Sequence, residues 1–168
     1  KRLDDNVSRR HEIAARYDAK LADLPLQLPF RESFGYSAFH LYVVLLDKAN
    51  APGRRAVFES LRSQGIGVNV HYIPVHMQPF HRDPGRETGA FPCAEDYYAR
   101  AISIPMYASL TDHEQDEVVA ALESGISGLA ALAIKTTLQS AYQVSLGDQA
   151  HQSVSVKHRQ SMQAALGQ

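Results

Sequence analysis

Cysteine is nearly absent. Cys93 stands alone, so an internal disulfide is impossible and a cysteine-based zinc site is not expected. Excess charge is absent too: 17 Lys and Arg against 18 Asp and Glu leave a net charge of −1 with neutral histidines. Without a basic field or a polybasic run, neither nucleic acid nor an anionic membrane is an expected partner. No apolar run is long enough to span a bilayer. The most apolar stretch of the tail, "GISGLAALAI", is short and interrupted by glycines. No signal-peptide pattern is visible, which makes a cytoplasmic location the expectation. Nucleotide-binding glycine loops are missing as well, since "GIG" and "DPGRETGAF" match neither the dinucleotide nor the triphosphate pattern.

What is present is a globular composition, 45% hydrophobic and 21% charged over 168 residues. That suffices for one domain with a core, or a smaller domain plus an appendage. The chain opens at "KRLDDNVSRRHEIAARYDAKL" already inside a helical pattern, with Leu3, Val7, Ala14, Tyr17 and Leu21 on one stripe. Such an opening, without an initiator methionine, reads as part of something longer. Two prolines in "LPLQLPF" end the helix. "SAFHLYVVLLD" (residues 37–47) is expected to be a strand, and "RRAVFESLRSQ" a helix that buries Val57, Phe58 and Leu61 and stops at Gly65. "IGVNVHY" is expected to be a second strand, with Val68, Val70 and Tyr72 on one face and Asn69 and His71 on the other.

Residues 73–92 form a long loop rich in proline and glycine, a length more often functional than decorative. A short helix, "CAEDYYARAI", and a brief extended segment, "SIPMY", follow. "SLTDHEQDEVVAALESG" carries a capping box of Thr111 and Glu114, a buried face of Val118, Val119 and Leu122, and an expected stop at Gly125. Beyond it the composition changes: residues 126–168 hold a single acidic residue, Asp148, and neither Phe nor Pro. This tail is expected to lie outside the fold.

The chemistry-bearing stretch is "GIGVNVHYIPVHMQPFHR", where His71, His76 and His81 recur five residues apart. Three readings stay open. A zinc site would use three neutral imidazoles, but the spacing is not one helical turn and no acid lies between them. A nucleophile relay finds no motif around Ser103, Ser109 or Cys93. In the third reading His71, Tyr72 and His76 face a ligand held mainly elsewhere, since imidazole and phenol suit sugar hydroxyls and phosphates. The bland alternative packs them under the loop. His40 reads as a structural histidine and Tyr97 and Tyr98 as packing. Arg54, Arg82 and Arg86 read as ordinary surface arginines able to meet a phosphate.

"RRHEIAARYDAKLADLP", "SAFHLYVVLL", "GIGVNVHYIPVH" and "SIPMY" with its following "LT", taken in order, resemble the C-terminal part of the DegT/DnrJ/EryC1/StrS sugar aminotransferases, including the branch serving pseudaminic acid synthesis. The likeness runs over about residues 1–124. It implies an α/β chain: the α+β small domain (residues 23–124) of the fold-type I aspartate-aminotransferase fold, led in by a helix (1–22) from a large domain that is missing, with residues 125–168 outside the match. It implies pyridoxal 5'-phosphate as cofactor, glutamate as amino donor, a keto sugar on a nucleotide as acceptor, and a homodimer. None of Lys1, Lys20, Lys48, Lys135 and Lys157 sits in the family's Schiff-base motif, so no catalytic and no cofactor-binding residue carries over and the chain is expected to be inactive alone. His71, Tyr72 and His76 carry over as substrate contacts at the sugar-nucleotide entrance. Helix 1–22 and the sheet are further expected to expose apolar surface. The rivals are a nucleotide-sugar-binding module without turnover and a metal-binding histidine loop.

Overall fold

A computed structural model describes residues 2–32, 34–48, 53–81 and 89–128. The chain is mixed α/β, with a small antiparallel sheet beneath helices. Helix α1 (Leu3–Leu21) has Asp4 and Asp5 in its first turn and Lys20 in its last, which suits the helix dipole at both ends. Its buried stripe holds Val7, Ala14, Tyr17 and Leu21 as expected, with one loss and one addition. Leu3 is 71% exposed, whereas Ile13 joins Ala14, Tyr17 and Leu21 at full burial. The expectation that this helix would present an apolar face to solvent is therefore overturned, because the face is spent on the chain's own core.

The prolines after α1 set up strand β1 (Leu26–Gln27), which pairs antiparallel with β2 (Tyr42–Leu46), Leu26 opposite Leu46. The expected strand over 37–47 is thus shorter. Its first residues are loop, Phe39 adopts a positive φ of 43°, and His40 is exposed rather than structural. In β2 the burial alternates, with Tyr42, Val44 and Leu46 inward. Its other edge pairs antiparallel with β3 (Ala101–Ile104), Tyr42 opposite Ile104 and Leu45 opposite Ala101. All four β3 residues are buried, so both faces of this edge strand are covered.

Helix α2 (Arg54–Ser63) ends at Gly65, whose φ of 82° only glycine adopts cheaply. The Gly65 and Ile66 amides donate to the Arg62 and Leu61 carbonyls, the paired bonds of a Schellman ending. The expected strand over 66–72 reduces to one antiparallel bridge, Asn69 with Ser103 on β3. Val68 is buried and Tyr72 exposed, so the proposed common face of Val68 and Tyr72 does not form. Helix α3 (Pro92–Arg100) leads directly into β3, starting one residue and ending two residues earlier than the sequence suggests.

Residues 112–128 form helix α4. Its capping box is present: the Thr111 amide donates to Glu114 at 2.7 Å and the Glu114 amide to the Thr111 hydroxyl at 3.2 Å. Gly125 does not stop it. The helix continues through Gly128, and Ile126 is buried in the core. Gly125 instead permits close approach to α2, since a Cβ there would lie 3.4 Å from the Ser60 hydroxyl and 3.7 Å from Val57. Residues 125–128 are thus part of the helix, and the expectation for the rest of the tail falls outside the described residues. Helices α1 and α4 are joined across one face by Arg9–Asp112 at 3.1 Å, Arg16–Asp116 at 2.9 Å and Lys20–Asp116 at 2.7 Å. Between them the buried Gln115 side chain donates to the Ile13 carbonyl at 2.8 Å.

Candidate functional site

The Schellman ending turns the chain so that residues 67–72 run beside β3. Ser103 holds this segment twice. Its backbone exchanges both hydrogen bonds with Asn69, at 2.8 and 3.1 Å, and its hydroxyl lies 2.8 Å from Nδ1 of His71. The His71 ring then meets the edge of the Tyr72 ring at 4.6 Å, while Tyr72 itself is 71% exposed. Two short 3-10 turns follow, Val75–Met77, which Pro74 precedes as N-cap, and Pro79–His81, which opens on a proline whose fixed φ and missing N–H suit a helical start.

His76 sits on the first of these turns and is held firmly. Its Nε2 lies 3.1 Å from Glu95 Oε1, its ring centroid is 4.6 Å from that of Phe91, and only 12% of its side chain is exposed. Glu95, on the first turn of α3, also accepts the amides of Gly89 at 2.7 Å and Phe91 at 3.2 Å. The Phe91 amide, then Gly89 and His76, hold the Glu95 carboxyl below the usual carboxylate range against the opposing cost of burial. Beside them opens a cavity of about 420 Å³ lined by Pro74, Val75, His76, His81, Phe91 and Ala94. A second cavity, of about 430 Å³, lies in the 29–41 loop, where His11 stacks on Tyr36 with centroids 4.5 Å apart.

The structure thus brings His76 and His81 to one cavity and gives His71 a different partner. Among the described residues no three His, Cys, Asp or Glu side chains gather as a metal site would require, which removes the geometric basis of the metal reading. Two residues of this region were not legible as functional: Glu95 and Ser103. The proline and acid of "FPCAED" do signal a helix start, yet the pairing with His76 crosses 19 residues. Ser103 leaves only the hint of a hydroxyl among apolar strand residues. Of the arginines weighed for phosphate, Arg54 covers the Tyr98 ring at 4.7 Å, and Arg82 and Arg86 lie outside the described residues.

The sequence profile of the DegT/DnrJ/EryC1/StrS aminotransferase family matches residues 1–123. The chain belongs to this family. The Bacillus subtilis spore coat polysaccharide biosynthesis protein SpsC is 39% identical over 132 residues, covering 76% of this chain and 34% of SpsC. Helicobacter pylori PseC, an aminotransferase involved in the biosynthesis of pseudoaminic acid, shares the fold at a TM-score of 0.67 and 24% identity over 76% of this chain and 34% of PseC. The PLP-form of the putative sugar aminotransferase Spr1654 from Streptococcus pneumoniae does so at 0.70 and 24%, over 76% of this chain and 33% of Spr1654. The chain spans about a third of the length of each of these proteins.

Membership in an aminotransferase family raises the question of pyridoxal phosphate, which needs an amine aimed into a cleft. The described lysines do not fit that need. Lys20 is 2.7 Å from Asp116 on the α1–α4 face and Lys48 is 2.7 Å from Asp96. Neither lines either cavity.

Proposed function

We propose that this chain forms the sugar-nucleotide side of an aminotransferase that moves an amino group from glutamate to a keto carbon of a UDP-linked sugar, for surface glycan synthesis. Residues 1–22 serve as the lead-in helix and 23–124 as the small domain. Pyridoxal phosphate, held by residues other than the described lysines, supplies the electron sink in the working enzyme. The active assembly is a cytoplasmic homodimer, and its counterpart in kind is the altrosamine transaminase of the pseudaminic acid pathway.

The observation that carries this reading is the state of "HYIPVH": two imidazoles held by a buried serine and a part-buried glutamate, an exposed phenol between them, and a cavity alongside. Rigid polar groups on a loop beside a concavity are what a polyhydroxylated, phosphorylated ligand requires, because little ordering is left to offset at binding. His71, Tyr72 and His76 are the residues assigned to it. Titration of the full chain with UDP-N-acetylglucosamine tests this. Saturable binding that falls about tenfold or more in the His71→Ala, His76→Ala double variant supports it, by the cost of two lost polar contacts. Equal binding by both proteins contradicts it.

The ion-paired lysines favour one second reading, a nucleotide-sugar-binding module without turnover. Amino transfer from labelled glutamate to a UDP-keto sugar by the complete assembly separates the two, since the module would bind the sugar and transfer nothing.

A further inference from the structure

The two histidines are gripped at different ring nitrogens. Ser103 meets His71 at Nδ1, and Glu95 meets His76 at Nε2. The proton positions follow from what the partners can do. Ser103 is 5% exposed, and His71 is the one hydrogen-bond partner of its hydroxyl among the described residues. A buried O–H that accepted from Nδ1–H would leave its own proton unpaired, at a cost larger than the bond is worth. The hydroxyl therefore donates, Nδ1 carries the lone pair, and Nε2 of neutral His71 carries the hydrogen.

Glu95 makes the opposite demand. Its carboxylate is kept ionised below the usual range, so it can only accept. The Nε2 of His76 must donate to it, which leaves Nδ1 of neutral His76 as the lone-pair nitrogen. Both rings are thus the same tautomer, yet the nitrogen left without a partner among the described residues differs. His71 offers an N–H, and His76 offers an acceptor.

We infer that Ser103 and Glu95 are positioning residues that make His71 a hydrogen-bond donor and His76 an acceptor toward the substrate. The ligand chemistry that matches is one presenting both an acceptor oxygen, from phosphate or carbonyl, and a hydroxyl donor. This rests on the substrate-side reading of the loop and adds to it the direction of each hydrogen bond. It also explains why a serine is buried in an otherwise apolar strand, and why the acid facing His76 is an acceptor of two backbone amides that keep it charged.

The test is long-range nitrogen–proton NMR on the full chain with labelled histidine, at about pH 8.5 where ordinary imidazoles are neutral. Both His71 and His76 are expected as single Nε2–H tautomers. Ser103→Ala should turn His71 into a tautomer mixture while Ser103→Thr keeps it single. Glu95→Ala should do the same to His76, and Glu95→Gln, whose carbonyl still accepts, should keep it single. A His71 bearing hydrogen on Nδ1, or tautomers indifferent to both alanine variants, overturns the inference. Titration with UDP reads the functional half: Ser103→Ala should weaken it about threefold to tenfold, with Ser103→Thr restoring it. Tautomers as expected with UDP binding unchanged in Ser103→Ala overturn the positioning role. If His71→Ala also leaves UDP binding unchanged, it is the substrate-side reading of the loop that has failed.

Discussion

Glu95 accepts from Gly89, Phe91 and His76 and so ties the far end of the histidine loop to its beginning. Its folded-state ionisation lies below the ordinary carboxylate range, so its contribution is fully present above that range and lost as pH falls through the depressed value. The protection factors of the Gly89 and Phe91 amides should therefore hold through about pH 4, the unfolded carboxyl value, and fall only as pH drops on through the depressed value. Glu95→Ala should abolish that acid-side change by leaving both amides unprotected throughout. Protection independent of pH in the parent protein would refute the clasp. Gly65 makes a second residue-scale case. With φ at 82°, Gly65→Ala should destabilise the fold by about 1–2 kcal/mol in a thermal or urea melt.

At the scale of elements, Gly125 separates two accounts of α4. If it ended the helix, alanine there would destabilise; inside the helix, it should do the reverse. Gly125→Ala is expected to be neutral or stabilising by up to about 1 kcal/mol, because the new methyl would be in ordinary contact with Val57 and against the Ser60 hydroxyl. Gly125→Leu should cost about 1–3 kcal/mol by forcing α4 away from α2. Asp116 ties α4 to α1 through Arg16 and then Lys20, which hold its carboxyl far below the usual range. Asp116→Asn should lower stability at neutral pH and narrow the difference from the parent in acid, where the carboxylate would protonate anyway. What was legible at this scale was local. The Thr111 capping box, the Gly65 stop and the Val57–Leu61 face depend on residues within a turn or two of each other. Strand β1, the Asn69–Ser103 bridge and the Gly125 contact depend on partners 18 or more residues away, and a single sequence does not reveal those. Gly125 misled because a glycine near a helix end signals both a stop and a close approach.

At the scale of the whole molecule, most of the large exposed hydrophobics among the described residues lie on two loops, Phe30, Phe34 and Tyr36 on one and Tyr72, Ile73, Val75 and Phe80 on the other, with Leu3, Phe91, Tyr97 and Tyr107 exposed elsewhere. Self-association should therefore follow the loops and not the core. Phe80→Ser, at a side chain 93% exposed, should reduce association in light scattering while shifting stability by no more than about 0.5 kcal/mol. The same distribution of surfaces assigns the chemistry. Polar recognition groups line the histidine loop, whereas the amines of Lys20 and Lys48 are committed to carboxylates away from both cavities. Borohydride reduction of the full chain with pyridoxal phosphate, followed by peptide mass mapping, puts this division to the test. The account predicts no stoichiometric pyridoxyl adduct on Lys20 or Lys48. A single, complete adduct on either one, lost with its substitution and accompanied by amino transfer, would contradict it.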